Sequence, residues 1–184
     1  MKHFCDDIYG FSQPDLFAFY RKMVKKFDSG SHFVEVGTFL GKSAAFMAVE
    51  IINSQKNIKF DCVDHWKGSE EHSDNNEINL EKLYEDFLKN IEPVKGVINP
   101  IRMNSIDASK LYKANSLDFV FIDGSHDEKS VKTDLTYWMP RLKEDGVIAG
   151  DDIDNKDVAR AVMWFFDNEK LDIAGRQWFV DLSQ

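Results

Sequence analysis

Residues 32–45, HFVEVGTFLGKSAA, constrain this chain more than any other stretch. Phe33, Val34 and Val36 have strand propensity and run into Gly37, and behind Gly41 an alanine-rich segment takes up helical spacing. The segment reads as strand, glycine turn and helix. Glycines at 37 and 41 remove the Cβ atoms that would hold the backbone off a ligand, while the unpaired amides and positive dipole end of the new helix face the same space. A small charged or hydroxylated molecule suits such a corner. The spacing Glu35-x-Gly37-x-x-x-Gly41 departs from the G-x-G-x-x-G of dinucleotide folds, which bears on the choice of cofactor. Alone, a turn of this kind is as often plain architecture as a binding site.

The rest of the chain supplies layers for such a corner. Ahead of it, Ser12 to Asp15 resembles a capped helix start, and Leu16, Tyr20, Met23, Val24 and Phe27 mark one helical face, so residues 1–30 form a helical cap. After it, residues 58–63 alternate apolar and polar and end at Asp64, a strand-end acid beside the glycine turn and suited to accept two ribose hydroxyls. Residues 66–79 are polar and acidic without period, and Leu80, Leu83, Tyr84, Phe87, Leu88 and Ile91 then form a helical stripe stopped at Pro93. The loop and helix of residues 66–92 read either as a lid over a substrate or as a surface excursion.

A third strand spans 97–103, a short helical turn 106–112, and a nearly continuous apolar strand 117–122, which ends in Asp123-Gly124-Ser125-His126. A helix carrying Val131, Leu135, Trp138, Met139 and Leu142 inward closes near Gly146, and residues 147–150 form a strand ending in Asp151-Asp152. The last helix buries Val158, Ala161, Val162, Phe165 and Phe166, and residues 171–174 with 178–182 look like a closing antiparallel pair. This alternation predicts an α/β fold: a Rossmann-like three-layer α/β/α sandwich on a mostly parallel seven-stranded sheet with a closing antiparallel strand.

Composition narrows the function classes. Fifteen Phe, four Trp and five Tyr among 184 residues supply the core of one domain, residues 1–184. A net charge of −9 repels phosphate backbones and anionic lipid, so neither nucleic acid nor membrane is an expected partner. The opening MKHFCDDIYG has acids where a secretory leader needs an apolar core, and no apolar run nears the roughly 20 residues of a membrane span, so a cytoplasmic location is expected. Cys5 and Cys62 read as buried or free thiols, and no Cys/His spacing suggests zinc. Trp164, Phe165, Phe166, Trp178 and Phe179 exceed what a terminal helix and hairpin need, which suggests a homodimer.

Asp123, Asp151 and Asp152 end two neighbouring strands. Three carboxylates so placed repel one another unless a cation or a proton separates them, which suggests a hard-metal site for Mg²⁺. Equally, Asp151 or Asp152 could cap the following helix. His126 follows Asp123 by three residues; an ordinary imidazole titrates near pH 6.5, so it suits a general base, or it bonds a loop carbonyl.

In order, VEVGTFLGKSA, CVDHWKG, LDFVFIDGSHDEKSVKTDL and LKEDGVIAGDDI resemble the class I S-adenosylmethionine-dependent methyltransferases. More narrowly, they resemble the small-molecule O-methyltransferase branch related to macrocin-type sugar methyltransferases. The likeness runs from about residue 33 to 152. It implies that Glu35, Gly37, Thr38, Gly41 and Ser43 shape the methionine end of the cofactor site, that Asp64 holds the ribose with His65 and Trp66 beside it, and that Ser105, Ile106 and Asp107 border the adenine. It also puts Asp123 against the cofactor, Asp123, Asp151 and Asp152 on metal ligands, and His126 with Asp123 in catalysis.

Methyl transfer from a sulfonium is an in-line displacement that needs donor and acceptor at near-attack distance, removal of the acceptor's proton and exclusion of water. Mg²⁺ on two vicinal hydroxyls would lower the pKa of one, and His126 could take its proton. The expected activity is metal-assisted O-methylation of a small sugar, diol or catechol-like acceptor. A nicotinamide-dependent oxidoreductase shares the turn and the second-strand acid but lacks here the glycine spacing and a Tyr-x-x-x-Lys pair. A cofactor-binding module without turnover would keep the fold and lose the chemistry.

Overall fold

The computed structural model describes residues 1–68, 79–166 and 171–184. Helix α1 (Pro14–Lys26) precedes β1 (His32–Val36), and α2 (Lys42–Ser54), β2 (Lys59–Asp64), α3 (Leu83–Asn90), β3 (Ile98–Arg102) and α4 (Ser105–Ser109) follow. Then come β4 (Leu117–Ile122), α5 (Glu128–Trp138), β5 (Leu142–Gly150), α6 (Lys156–Phe165), β6 (Asp172–Ala174) and β7 (Gln177–Asp181). The sheet order is β3-β2-β1-β4-β5-β7-β6, parallel from β3 to β5, with β7 antiparallel to both neighbours. This is the Rossmann-like α/β/α sandwich that the alternation predicts. Chain progression reverses between β1 and β4, and in open α/β sheets the crevice at that switch point receives ligands.

Strand alternation divides the core. Phe33, Phe60, Cys62, Phe119, Phe121 and Ala149 pack against α1, α2 and α3, while Val34, Val36, Val63, Val120, Ile122 and Ile148 pack against α5 and α6. All six residues of β4 are buried, as a continuous apolar strand in mid-sheet requires. Both cysteines are buried free thiols. Among the described residues no helix is long and apolar enough to cross a membrane.

Several boundaries differ from the sequence reading. Ser12 and Asp15 form no capping box: Pro14 opens α1 with Gln13 as its N-cap, and Asp15 Oδ2 instead accepts the backbone N–H of Arg176 (3.0 Å). Strand β5 begins at Leu142, because a register shift between Leu117 and Phe119 lets it carry the exposed Glu144 and Asp145 before Val147. Neither Asp151 nor Asp152 caps α6; Asn155 does, accepting from the Asp157 amide (2.9 Å). Trp178 and Phe179, two of the aromatics that suggested a dimer, belong to the core, and Trp164 is 67% exposed. Residues 69–78 of the suggested lid lie outside the described residues.

The amino edge of the sheet is tied by one carboxylate. Asp61, 7% exposed, accepts from His32 Nε2 (2.7 Å), Asn99 Nδ2 (2.9 Å) and Tyr112 OH (2.7 Å), joining β1, β2, β3 and the segment after α4. These bonds hold its pKa below the ordinary carboxylate value against the opposing effect of burial. Replacing it strands three donors. Asp61→Ala is expected to lower the unfolding free energy by about 3 kcal/mol in urea titrations at neutral pH.

Candidate active site at the carboxyl edge of the sheet

The carboxyl ends of β1, β2, β4 and β5 surround a cavity of about 940 Å³. Its floor is set by a close approach: Gly37 has φ 87°, and a Cβ there would lie 2.0 Å from the Asp123 carbonyl oxygen. The crossing is pinned by Gly37 N–H to Val63 O and Asp123 N–H to Val36 O, both 2.8 Å. Gly41, at φ 86°, then opens α2 without a side-chain cap, so the first-turn amides of that helix are left for a ligand or water. Thr38 is 2% exposed, lines the cavity, and its Oγ1 has no partner. A buried hydroxyl left unbonded beside free helix amides marks a place prepared for a polar ligand.

Asp64 does two jobs. Its Oδ2 accepts from the amides of Thr38 (3.1 Å) and Phe39 (3.0 Å), and its Oδ1 accepts from Trp66 N (2.7 Å), while the residue also lines the cavity. A carboxylate offers about four acceptor sites. With three taken by the chain, Asp64 shapes the glycine turn at least as much as it faces a ligand.

Three residues that the sequence assigned to cofactor contact are absent from the cavity wall: Glu35, Trp66 and Asp107, the last exposed and bonded to Asn104 and Lys110. Glu35 is 1% exposed and lies beneath the turn, accepting from Tyr20 OH (3.0 Å) and Ser43 Oγ (2.6 Å), so it acts through Ser43, which does line the cavity. Trp66, 1% exposed, packs on Tyr84 and Phe87 and donates from Nε1 to Phe39 O (2.8 Å), bracing the turn from behind. His65, Ser105 and Ile106 are on the wall. Ser105 Oγ donates to Asp134 Oδ1 (2.5 Å) and receives Trp138 Nε1 (2.8 Å). Asp134 also lines the cavity, and burial pushes its carboxyl up to about 6. Sequence reasoning missed Asp134, although an acid on the Val131–Leu135–Trp138 stripe of α5 was the available signal.

The acids divide. His126 Nε2 lies 2.9 Å from Asp152 Oδ2 and 3.9 Å from Asp123 Oδ1. Among the described residues, Asp123, His126 and Asp152 are the cluster whose ligand atoms fall within 4.8 Å of one another. Asp151, expected in that cluster, lines the same cavity but lies outside the cluster: its Oδ1 accepts from Gln177 Nε2 (3.1 Å) and the Asp152 amide (2.7 Å). Burial, with Asp123 nearby, raises the Asp151 carboxyl to about 6. The Arg176 guanidinium, absent from the sequence reading, bonds Asp152 and reaches Asp154 Oδ1 at 3.2 Å. Asp152 itself has φ 62°, which holds its carboxylate in the cluster at some conformational cost.

This strand order with a glycine-turned cleft defines a methyltransferase-type fold, and the comparisons agree. Residues 34–153 match the Methyltransf_24 family, a methyltransferase domain, and the chain belongs to that family. The O-methyltransferase NovP superposes with a TM-score of 0.69 at 15% identity, over 91% of this chain and 79% of its own. TomG from Streptomyces achromogenes, an O-methyltransferase involved in tomaymycin synthesis and solved in complex with SAM, gives 0.64 at 11% identity, over 94% and 81%. A putative rRNA-methylase from Clostridium thermocellum gives 0.62 at 13%, over 93% and 97%. At such identities these likenesses establish the fold, and acceptors differ widely on it.

The buried Glu35 makes a pH test. Burial raises its carboxyl from 4.5 to about 8, so between those values the folded chain holds a proton that the unfolded chain releases. The stability that this proton contributes is complete below about pH 4.5 and is lost as pH rises to about 8. Glu35→Gln stays neutral throughout. Urea unfolding should therefore show the variant close to wild type at pH 5 and more stable than wild type above pH 8, with a flatter profile between.

Proposed function

We propose that this chain is an S-adenosylmethionine-dependent O-methyltransferase acting on a small hydroxylated acceptor, with a divalent cation at the acid cluster. The observation that carries the reading is the one cavity wall on which the glycine turn, the unpartnered Thr38 hydroxyl and the Asp123–His126–Asp152 cluster meet. Family membership and the SAM complex of TomG support it. The cavity, about 940 Å³, is at the upper end of the range for small-molecule sites, roughly 300–1,000 Å³, and has room for donor and acceptor together.

In this reading the α2 amides, Thr38 and Ser43 receive the methionine end of the donor, Asp64 offers its remaining acceptor site to the ribose, and Ser105 with Asp134 faces the adenine. Asp123 and Asp152 would hold the cation. His126 gives the set a nitrogen, which suits Mn²⁺ as a ligand and Mg²⁺ only if the imidazole remains free for base work. When bound, S-adenosylmethionine would supply the sulfonium methyl, and a cation held by Asp123 and Asp152 would make the acceptor's hydroxyl more acidic. His126, held through Nε2 by Asp152, would take the proton of the acceptor's hydroxyl, and the cavity walls would limit water. A second reading rests on Arg176: its guanidinium already neutralises Asp152, so the chain could act without metal.

Calorimetric titration with S-adenosylhomocysteine should give micromolar binding, weakened at least ten-fold by Asp64→Ala. No binding by wild type would refute the cofactor assignment. Mn²⁺ electron paramagnetic resonance should show a bound ion that Asp123→Asn and Asp152→Asn release; an ion-free spectrum, with turnover unaffected by chelator, would favour the arginine reading.

A further inference from the structure

Among the described residues five non-glycines have positive φ, and the two aromatic ones, Phe39 at 47° and Trp66 at 48°, meet behind the glycine turn. A left-handed backbone is unfavourable for a bulky side chain and persists only where the surroundings over-determine it. Here a closed ring of three hydrogen bonds does so. Phe39 N–H donates to Asp64 Oδ2 (3.0 Å), Trp66 N–H donates to Asp64 Oδ1 (2.7 Å), and Trp66 Nε1 donates to the Phe39 carbonyl (2.8 Å). The next carbonyl along the turn, that of Leu40, accepts from Asn90 Nδ2 (2.9 Å) at the last position of α3.

Each of these side-chain donors fixes a peptide plane. A trans peptide points its N–H opposite its carbonyl, so Trp66 sets the direction of the Leu40 amide and Asn90 that of the Gly41 amide. The Gly41 amide in turn donates to Thr38 O (2.8 Å), which closes the turn on the residue with the unpartnered hydroxyl. Helix α3 is seated closely enough to pass on its position. A Cβ at Gly41 would lie 3.0 Å from the Phe87 ring and 3.1 Å from Ile91 Cγ2. Asn90 is half-buried and contributes little to the core, so its amide has more to do with the Leu40 carbonyl than with packing.

We propose that Trp66 and Asn90 are positioning residues for the methyl donor: through the Phe39 and Leu40 carbonyls they hold the turn in the strained form that presents Thr38 and the first α2 amides. This deepens the methyltransferase reading above and rests on it. The test is calorimetric titration with S-adenosylhomocysteine, read beside the melting temperature. Trp66→Phe keeps a ring on Tyr84 and Phe87 but has no N–H, and should weaken binding roughly ten-fold. Within the Phe39→Gly background the same change should cost less than about two-fold, because glycine takes positive φ without restraint. Asn90→Ala should weaken binding roughly three- to ten-fold and keep the melting temperature within about 4 °C of wild type. Equal losses from Trp66→Phe in both backgrounds, affinity indifferent to Asn90→Ala, or affinity lost only together with the fold overturns the proposal. Should Trp66→Phe or Phe39→Gly fail to fold or to bind, Asn90→Ala decides alone. Failure of S-adenosylhomocysteine to bind the wild type is a separate result that removes the methyltransferase reading itself.

Discussion

The site depends on one backbone contact, the passage of Gly37 against the carbonyl of Asp123. A Cβ at Gly37 would sit 2.0 Å from that oxygen, so only glycine lets β1 and β4 emerge side by side at the switch point of the sheet. The contact joins two parts of the candidate site, Gly37 and Asp123, that lie 86 residues apart in the chain. On the β1 side it starts the turn that frees the α2 amides, and on the β4 side it fixes where Asp123 and, three residues later, His126 enter the cleft. The proposed donor cradle and the acid cluster therefore have a separation set by main chain rather than by side-chain rotamers.

Buried polar groups stiffen this corner from below. Glu35, Tyr20 and Ser43 form a bonded set under the turn, and Asp64 gathers the amides of Thr38, Phe39 and Trp66 around one carboxylate. Each acid is satisfied by short bonds from its own neighbourhood, which is why so acidic an edge is compatible with a compact fold. Among the described residues, the cluster of Asp123, His126 and Asp152 is met by Arg176, another side chain of the cavity wall.

The sequence made legible what is local or periodic. The strand-turn-helix at Gly37 is written in adjacent residues, and Asp64, Asp123 and Asp151 stand out because each ends an apolar run. Where side chains point at a strand end was not legible. Asp151 and Asp152 are neighbours in sequence and both line the cleft, yet Gln177, on an antiparallel strand 26 residues later, engages the first, while the second, with a left-handed backbone, joins the His126 cluster. Glu35 followed the alternation of β1 to the helix side, beneath the turn rather than above it, and Trp66 turned inward onto α3. Arg176 and Asp15, 161 residues apart, meet only because the last hairpin folds back onto the start of α1.

The central claim is that the Gly37–Asp123 contact builds the donor site. Calorimetric titration of Gly37→Ala with S-adenosylhomocysteine, with circular dichroism confirming an intact fold, tests it most directly. The account predicts micromolar binding by wild type and none detectable by the variant, since the added methyl must push β1 and β4 apart. Equal affinity of variant and wild type would contradict it.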